Sequence, residues 1–460
     1  MRSLHAVLVE RPSPRLVELL AAALDGSGPA ILPLDGGLPR ARLAELITAF
    51  APDTVEDTDG VTTARLGPRM GVAESTAVII GTSGSTGAPK GVELSASALL
   101  HSARASLARV DARPGQRWLC CLPATHIAGV QVLIRSLVSG TEPVLATRAD
   151  AETVAGSGCS HVSLVPVQLQ RLLADQSRQS DRSTPLAGFA SVLLGGAAAP
   201  QSLLDEARAA GVPVVTTYGM SETCGGCVYD GRPLDGVMVR AGGAGPGGTS
   251  AGPGGATPPK PPPLTGGLPA PPYPPGPPSG GTDPSVHSVH SVPSVSSAGR
   301  IWIRGAVLFS RYRGGVAGTE VVRDGWFRTG DLGQVDASGR LTVRGRADDV
   351  INTGGHKVIP GEVAAVLGTC PGVQDVAVVG QPDAEWGERV IAVVVPADRA
   401  DPPTLELLRL HVRQRLPRYA APSRVVMVDA VPVLPSGKHD IARLKLELLR
   451  REQIAAENVS

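Results

Sequence analysis

The sequence has few cysteines and no long apolar run. Its six cysteines in 460 residues exclude a disulfide-rich scaffold. No uninterrupted apolar run reaches the roughly 20 residues that a membrane-spanning helix needs. The first residues, MRSLHAVLVERPSPRLVELL, carry charges where a signal peptide has an apolar core. These absences favour a soluble, cytoplasmic protein without membrane insertion.

Net charge is nearly absent as well. With 43 basic and 42 acidic residues, the formal charge of +1 gives no electrostatic reason to bind nucleic acid or an anionic membrane. One Cys-x-x-Cys pair, Cys224 and Cys227, has no second pair or nearby histidine to complete a metal site. We interpret both as reduced structural thiols. The length allows more than one domain and leaves the oligomeric state open, a homo-oligomer included.

Lysine is scarce, and its positions are therefore informative. The sequence has 43 lysines and arginines in all, and lysine occurs only at positions 90, 260, 357, 438 and 445. Lys90 and Lys438 each follow a short run of Gly, Ser and Pro, where a compact ammonium suits a ligand better than the planar arginine fork. Codon bias explains the rarity of lysine but not these positions.

The segment TSGSTGAPKG has the composition of a polyphosphate-binding loop. Glycines let the backbone approach an anion, hydroxyls donate hydrogen bonds and the lysine supplies a full charge. A plain Gly/Ser connector is the alternative. The candidate phosphate ligands are Thr82, Ser83, Gly84, Ser85, Thr86, Gly87 and Lys90.

From about Ala77 onward, short apolar runs alternate with amphipathic stretches. The runs AVII, WLCCLP, HVSLVP and ASVLLGG are separated by segments of helical character. This alternation predicts an α/β fold with largely buried strands, in which ligand loops follow the strand ends. Residues 1–347 are predicted to form a large domain.

Residues 242–297 consist mainly of Gly, Pro, Ser and Thr, so we expect a disordered insertion. A proline-rich docking site is the alternative. The flanking runs VMVRA and RIWIRG are predicted to pair with each other as strands. A second, smaller domain is predicted over 348–460, with strands DVAVVG and RVIAVVVP and a helix from Thr404 to Leu416.

Further motifs follow the phosphate loop in a fixed order: LPATH, GGAAAP, TYGMSET, TGD, GRADDVINTGGHKV and LPSGK. This ordered set resembles the AMP-forming adenylate ligase superfamily of acyl-CoA synthetases, luciferases and peptide-synthetase adenylation domains. The resemblance covers about Ala77 to the C-terminus without the insertion. It implies a large N-terminal α/β domain, a small mobile α+β C-terminal domain, and the use of ATP, Mg²⁺ and coenzyme A.

The resemblance also implies roles for residues at the nucleotide. Glu222 matches the magnesium-binding acid, a hard oxygen ligand, and Asp331 and Arg346 match the pair that holds the ribose hydroxyls. A solvated loop carboxylate is the alternative for each acid taken alone. The residues that match the adenine pocket are Gly195, Gly196, Ala197, Thr217, Tyr218, Gly219 and Ser221, the last in place of the commoner threonine.

In the same way, Lys438 matches the lysine that bridges the substrate carboxylate and the α-phosphate, and Asp348 matches the hinge of the small domain. His126 matches a gate between the ATP and acyl pockets, with a core histidine as the alternative. The residues implied in coenzyme A binding are Gly354, Gly355 and Lys357, the last of which is equally well read as a surface lysine.

The segment IAGVQVLIRSLVSG predicts a buried helix that contains Arg135. A buried guanidinium needs an anion, either a distant acidic residue or a second carboxylate on the substrate. Here the segments HIAGVQVLIRSLVSGTEPV, HVSLVPVQLQRLL and TYGMSETCGGCVYDGRPLDGV resemble the o-succinylbenzoate:CoA ligase family of menaquinone biosynthesis. That resemblance assigns the substrate carboxylate to Arg135 and Ser163.

The resemblance implies that 2-succinylbenzoate, ATP and coenzyme A react through an acyl-adenylate to give 2-succinylbenzoyl-CoA. Two alternatives stay open: a broader aryl- or fatty-acyl-CoA ligase, and a stand-alone acyl-adenylate binding or carrier-loading module. Besides Ser221, two features depart from the family pattern. The part before the phosphate loop is short, which puts the completeness of the first subdomain in question, and the 242–297 insertion has no counterpart.

Overall fold

The computed structural model describes residues 1–64, 70–83, 89–177, 184–242, 298–313, 322–434 and 438–457. Gly84, Ser85, Thr86 and Gly87 of the predicted phosphate loop lie outside these ranges, as do residues 243–297 of the predicted insertion.

The described elements follow one another in three stretches. The first comprises β1 (Leu4–Val9), α1 (Pro14–Asp25), β2 (Ala30–Asp35), α2 (Arg40–Phe50), β3 (Thr54–Glu56), β4 (Thr62–Ala64), β5 (Thr76–Ser83), β6 (Pro89–Ser95) and α3 (Ala96–Arg109). The second comprises β7 (Trp118–Cys120), α4 (Ile127–Val138), β8 (Val144–Leu145), α5 (Ala151–Gly156), β9 (His161–Leu164), α6 (Pro166–Ser177), β10 (Ser191–Leu194), α7 (Gln201–Ala209), β11 (Val214–Met220), β12 (Gly225–Tyr229) and β13 (Arg232–Pro233). The third comprises β14 (Val237–Gly242), β15 (Gly299–Gly305), β16 (Arg311–Arg313), β17 (Val322–Arg323), β18 (Trp326–Val335), β19 (Leu341–Arg346), β20 (Ile351–Thr353), β21 (His356–Val358), α8 (Pro360–Leu367), β22 (Val373–Asp383), β23 (Gly387–Pro396), α9 (Leu405–Arg413), β24 (Arg424–Met427) and α10 (Ile441–Glu457).

Two large sheets form the body of the first part of the chain. Among the described residues, the first sheet has the order β16-β6-β5-β2-β1-β3-β4 and the second β13-β12-β11-β10-β9-β7-β8. In the second sheet, β8, β7, β9, β10 and β11 are parallel. The residues of β7, β9 and β10 are all buried, whereas those of β8 and β11 are half-buried. The predicted alternation of strands and helices is confirmed.

The short N-terminal part supplies the middle of the first sheet. Strand β1 pairs in parallel with β2 on one side and β3 on the other. Helix α1 begins where the Ser13 side chain accepts a hydrogen bond from the Leu16 amide (3.3 Å), and it ends at Gly26, whose φ of +87° suits glycine. These residues therefore form a core sheet rather than a detached extension.

A third sheet contains β14, β15, β18, β17 and β19. Strands β14 and β15 are antiparallel, from Val237 opposite Gly305 to Gly242 opposite Arg300. The predicted pairing of the two arms is confirmed. Strand β14 includes Gly242, which the sequence analysis placed in the insertion, because its backbone continues the ladder to Arg300.

The last part of the chain forms a fourth sheet of β21, β20, β23, β22 and β24, covered by α8, α9 and α10. The predicted strands DVAVVG and RVIAVVVP lie within β22 and β23. The predicted helix is α9, capped by the Thr404 hydroxyl, which accepts from the Leu407 amide (3.2 Å), and it ends at Arg413 rather than Leu416. None of the described helices is long and apolar enough to cross a membrane. The fold is an α/β body followed by a smaller α+β unit.

Candidate active site

The predicted phosphate loop joins the paired strands β5 and β6. Thr82 lies opposite Lys90, and its hydroxyl donates to the Lys90 carbonyl (3.3 Å). The Lys90 ammonium is 5.6 Å from the ring centroid of Tyr312, a cation–π distance. The strands thus fix where the loop begins and ends. Residues 84–88 between them are not described.

The two segments assigned to adenine lie on neighbouring strands. Gly195, Gly196 and Ala197 follow β10, and Thr217, Tyr218 and Gly219 belong to β11, which is parallel to β10. A Cβ atom at Gly195 would lie 2.3 Å from the Thr217 hydroxyl oxygen, and one at Gly219 would lie 1.9 Å from the Gly225 carbonyl oxygen. Only glycine fits these positions.

The acid and base assigned to the ribose are paired across two strands. Asp331 on β18 lies opposite Arg346 on β19, and their charged groups approach to 3.4 Å. The Tyr218 hydroxyl donates to the other carboxylate oxygen of Asp331 (2.7 Å). Burial, together with the Asp331 charge, raises the pKa of Tyr218, so the phenol stays protonated and the carboxylate is held by two partners.

Glu222 lies in a short 3-10 turn, Ser221–Thr223, directly after β11. Its carboxylate accepts a hydrogen bond from the Tyr312 hydroxyl (2.8 Å), and its carbonyl accepts from the Phe309 amide (2.9 Å). Ser221 occupies the first position of the turn. Within the described ranges, no three His, Cys, Asp or Glu side chains cluster to hold a metal ion.

Cys224 and Cys227, next to this turn, are buried free thiols. Burial raises the pKa of Cys227 to about 12, and it raises that of Cys224 as well. Both are unreactive thiols at neutral pH.

Lys438, from the last part of the chain, lies within electrostatic range of Asp331 and Arg346 on the third sheet and of Glu222 after β11. Although the side chain keeps solvent-accessible surface, displacement of water around the ammonium lowers its pKa. Asp331 and Glu222 oppose that shift and Arg346 adds to it. The four groups therefore share one electrostatic environment.

His126 precedes α4 and is also a neighbour of Lys438. Burial lowers its pKa, and the charge of Lys438 lowers it further, whereas Asp35 acts in the opposite direction. The His126 imidazole is therefore neutral at neutral pH and lies within electrostatic range of the Lys438 ammonium.

Arg135 lies on the buried side of α4 and is 5% exposed. Its guanidinium donates to the hydroxyls of Ser163 (2.9 Å) and Ser106 (3.3 Å), and it stacks 4.4 Å from the ring centroid of Trp118. Its Nε has no hydrogen-bond partner among the described residues. Burial is the main reason that the pKa of Arg135 is lowered, and no carboxylate among the described residues counters it. The alternative of a structural ion pair has no candidate in this part of the chain.

Trp118 and His161 complete a stack under Arg135. Their strands β7 and β9 are neighbours, and the two rings are 4.6 Å apart and nearly parallel. His161 bonds to the Ser191 hydroxyl (2.8 Å) and the Gln116 side-chain oxygen (3.1 Å). Burial and the Arg135 charge lower the pKa of His161 to about 4. Sequence reasoning missed both rings, although both stand on predicted strands.

The residues assigned to coenzyme A lie in the fourth sheet. Gly354 (φ +55°) and Gly355 (φ +79°) form the turn between β20 and β21, and Lys357 is exposed on β21. The Gly354 amide donates to the Trp386 carbonyl (2.9 Å). Beside the turn is a cleft of about 240 Å³ whose lining includes His356, Trp386, Arg389 and Arg409. Asp348 lies in the link between β19 and β20.

The arrangement of these motifs agrees with the comparisons to known proteins. Residues 45–313 match the AMP-binding enzyme family, and residues 362–438 match the AMP-binding enzyme C-terminal domain. The chain belongs to the AMP-binding enzyme family. ATP and coenzyme A are the substrates that membership of this family of CoA ligases implies.

Three relatives in this family are similar to the chain over most of its length. A probable 2-succinylbenzoate–CoA ligase of Mycobacterium tuberculosis is 40% identical over 81% of this chain and 85% of its own length. The indoleacetate–CoA ligase of Aromatoleum aromaticum is 31% identical over 81% and 67%. The 2-succinylbenzoate–CoA ligase of Bacillus pumilus is 32% identical over 80% and 68%.

Solved structures of AMP-binding enzymes show the same fold. ATP-bound MatB from Rhodopseudomonas palustris superposes with a TM-score of 0.75 at 21% identity, over 97% of this chain and 89% of that one. The o-succinylbenzoate CoA synthetase MenE of Bacillus subtilis, in complex with the acyl-adenylate intermediate OSB-AMP, superposes with a TM-score of 0.67 at 24% identity, over 96% and 88%.

Proposed function

We propose that this protein is a 2-succinylbenzoate–CoA ligase of menaquinone biosynthesis. It joins 2-succinylbenzoate to coenzyme A and cleaves ATP to AMP and pyrophosphate through an acyl-adenylate. The observation that carries the proposal is Arg135, a buried guanidinium that rests on serine hydroxyls and an indole and has no carboxylate beside it in the described structure. A substrate with two carboxylates supplies that anion. Two relatives with this activity in their names support the choice.

In the adenylation step, one carboxylate of the substrate attacks the α-phosphate of ATP. Two anions must approach each other, so the site has to neutralise both. Lys438, which lies within electrostatic range of Asp331 and Glu222, bridges the attacking carboxylate and the α-phosphate. Asp331 and Arg346 bind the ribose hydroxyls, the glycine segments after β10 and in β11 receive adenine, and neutral His126 separates the two pockets.

Glu222 fits the role of the magnesium-binding acid. Mg²⁺ is commonly held by one or two carboxylates together with substrate phosphates and water, so a single glutamate suffices. The Tyr312 hydroxyl fixes one carboxylate oxygen of Glu222 beside the strand that carries Lys90. Bound there, Mg²⁺ would neutralise the departing pyrophosphate.

For thioester formation, we propose that the unit from 348 to 460 rotates about Asp348 relative to residues 1–347. The turn at Gly354 and Gly355 then lines the path of the thiol, since a backbone without side chains permits close approach. Lys357 meets phosphates of coenzyme A. We place the reaction in the cytoplasm, where ATP and coenzyme A are available.

The test is coenzyme-A-dependent AMP release from purified protein with 2-succinylbenzoate, indoleacetate, benzoate and a medium-chain fatty acid under identical conditions. We expect turnover with 2-succinylbenzoate alone. Equal turnover of the monocarboxylates would replace the proposal by a broader acyl-CoA ligase. Acyl-adenylate formation without transfer to coenzyme A would replace it by a carrier-loading module.

A further inference from the structure

Tyr312 lies between the two groups that are assigned to the phosphates of ATP. Its hydroxyl donates to Glu222 (2.8 Å), and its ring faces the Lys90 ammonium at 5.6 Å. None of the sequence motifs that define the site includes this residue. One side chain therefore contacts both the proposed magnesium acid and the phosphate-loop lysine.

The backbone around Tyr312 is firmly held. Strand β16 pairs with β6, and Tyr312 lies opposite Val92. On either side, Arg311 and Arg313 both approach the buried carboxylate of Glu93, at 3.0 and 3.6 Å. Arg313 also donates to the carbonyl of Phe50 (2.6 Å) and to that of Gly71 (2.7 Å). This anchoring fixes the backbone position from which the Tyr312 hydroxyl reaches Glu222.

The same short segment also holds the main chain of Glu222. The Phe309 amide donates to the Glu222 carbonyl (2.9 Å), and the rings of Phe309 and Tyr312 pack at 4.7 Å. Segment 309–313 thus fixes both the backbone and the carboxylate of Glu222. An ionised carboxylate only accepts hydrogen bonds, and one phenol donor leaves its other lone pairs for a cation.

We propose that Tyr312 is a positioning residue for adenylation, which orients the Glu222 carboxylate toward Mg²⁺ and holds the Lys90 ammonium at the phosphates. The inference rests on the proposed use of Mg²⁺ and ATP but not on the identity of the acid. Two effects follow from the two contacts. The hydroxyl acts through Glu222 and matters only when Mg²⁺ is present. The ring acts through Lys90 and matters with or without the metal.

Calorimetric titration with ATP, in Mg²⁺ and in EDTA, separates these effects without requiring turnover. Tyr312→Phe keeps the ring and removes one hydrogen bond to a charged group. We therefore expect it to weaken ATP binding about tenfold in Mg²⁺ and to leave ATP binding unchanged in EDTA. Tyr312→Leu is expected to weaken binding in EDTA as well. Equal weakening by Tyr312→Phe in both conditions, or none in either, would overturn the role of the hydroxyl. Identical behaviour of the Phe and Leu variants would overturn that of the ring.

Two controls separate positioning from structural damage. In the double variant with Glu222→Gln, the effects of the two substitutions are expected to be strongly non-additive, because they remove the same interaction. Additive effects would show that the hydroxyl acts elsewhere. Phe309→Leu loosens the packing under the ring but keeps the hydroxyl, and it should retain the gain in affinity from Mg²⁺. If it loses that gain as Tyr312→Phe does, the effect is structural and the proposal fails.

The outcome is independent of the acid that is activated. If 2-succinylbenzoate is not turned over but ATP binding responds as described, the substrate assignment fails and the role of Tyr312 stands. If turnover is normal and the metal response of Tyr312→Phe matches the wild type, the role of Tyr312 fails alone.

Discussion

The proposed nucleotide end and the proposed acyl end of the site differ in how their charged side chains are paired. At the nucleotide end, Asp331 is held by Arg346 and Tyr218, and Glu222 by Tyr312. At the proposed acyl end, Arg135 has hydroxyl, thiol and aromatic side chains around it and no carboxylate within the described structure. Charges with protein partners are fixed before substrates arrive, whereas an unpaired buried charge stays costly until a ligand neutralises it. The contrast supports the proposal that the acyl substrate brings its second carboxylate to Arg135.

The largest effect is expected from removing Lys438, the cation proposed to contact both the substrate carboxylate and the α-phosphate. Lys438→Ala is expected to lower the rate of acyl-adenylate formation by about 10³-fold, the cost of losing one group that stabilises transition-state charge. ATP affinity should change little, because the other phosphate and ribose contacts remain. Pyrophosphate exchange and ATP titration measure the two quantities.

Lys445→Ala on α10 is the matched control for loss of a lysine in the same unit, and we expect it to leave adenylation unchanged. If Lys438→Ala retained adenylation activity, the role proposed for Lys438 would be contradicted.

The second prediction concerns the acyl end alone. Arg135→Leu is expected to raise the KM for 2-succinylbenzoate by about 100-fold, since a charge-assisted, two-point contact to the carboxylate is lost, and to change the KM for ATP by less than about threefold. Arg135→Lys keeps the charge and loses the two-point contact, so its KM for 2-succinylbenzoate should lie between those of the wild type and Arg135→Leu. Steady-state kinetics with each substrate varied in turn provide the values. Similar rises for both substrates would instead indicate that Arg135 supports the fold.

The third and smallest predicted effect is the pH dependence of stability that His161 contributes next to Arg135. Burial and the Arg135 charge lower the pKa of His161 to about 4, against about 6.5 in the unfolded chain. Between these values the unfolded chain binds a proton that the folded protein does not, so stability falls with decreasing pH. From pH 7.5 to pH 5, the loss from this residue is about 2 kcal/mol in the free energy of unfolding.

Urea unfolding of the wild type and of His161→Gln at the two pH values isolates this contribution, because the variant lacks the titrating ring. In Arg135→Leu, which lacks the neighbouring charge, the dependence on pH should be smaller than in the wild type. An equal loss of stability in the wild type and His161→Gln would rule out His161 as its source.

Much of the fold could be predicted from the sequence, because buried strands and amphipathic helices leave patterns of their own. The alternation after Ala77 and the pairing of β14 with β15 are examples. The N-terminal strands carry no motif, and nothing in the sequence indicated that β1 lies in the middle of a sheet. The position of a strand within a sheet depends on distant partners.

The same limit applies to the site. Ordered motifs identified the charged residues around ATP, whose roles stay proposals. They did not identify Trp118, His161 or Tyr312. Trp118 meets His161 only through the register of β7 with β9, and Tyr312 meets Glu222 only because β16 pairs with β6, more than 200 positions earlier in the chain. Contacts made by sheet pairing are visible in the fold and not in a local motif.

The pairing of β14 with β15 also has an evolutionary consequence. Gly242 and Arg300 face each other at the end of the ladder, so these two positions, more than 50 residues apart in the sequence, lie close together in space. The entropic cost of bringing the two ends of a flexible loop together rises only about 0.6 kcal/mol for each doubling of the loop length. Descendants of this gene can therefore lengthen, shorten or replace the sequence between these two residues while the catalytic framework is inherited unchanged.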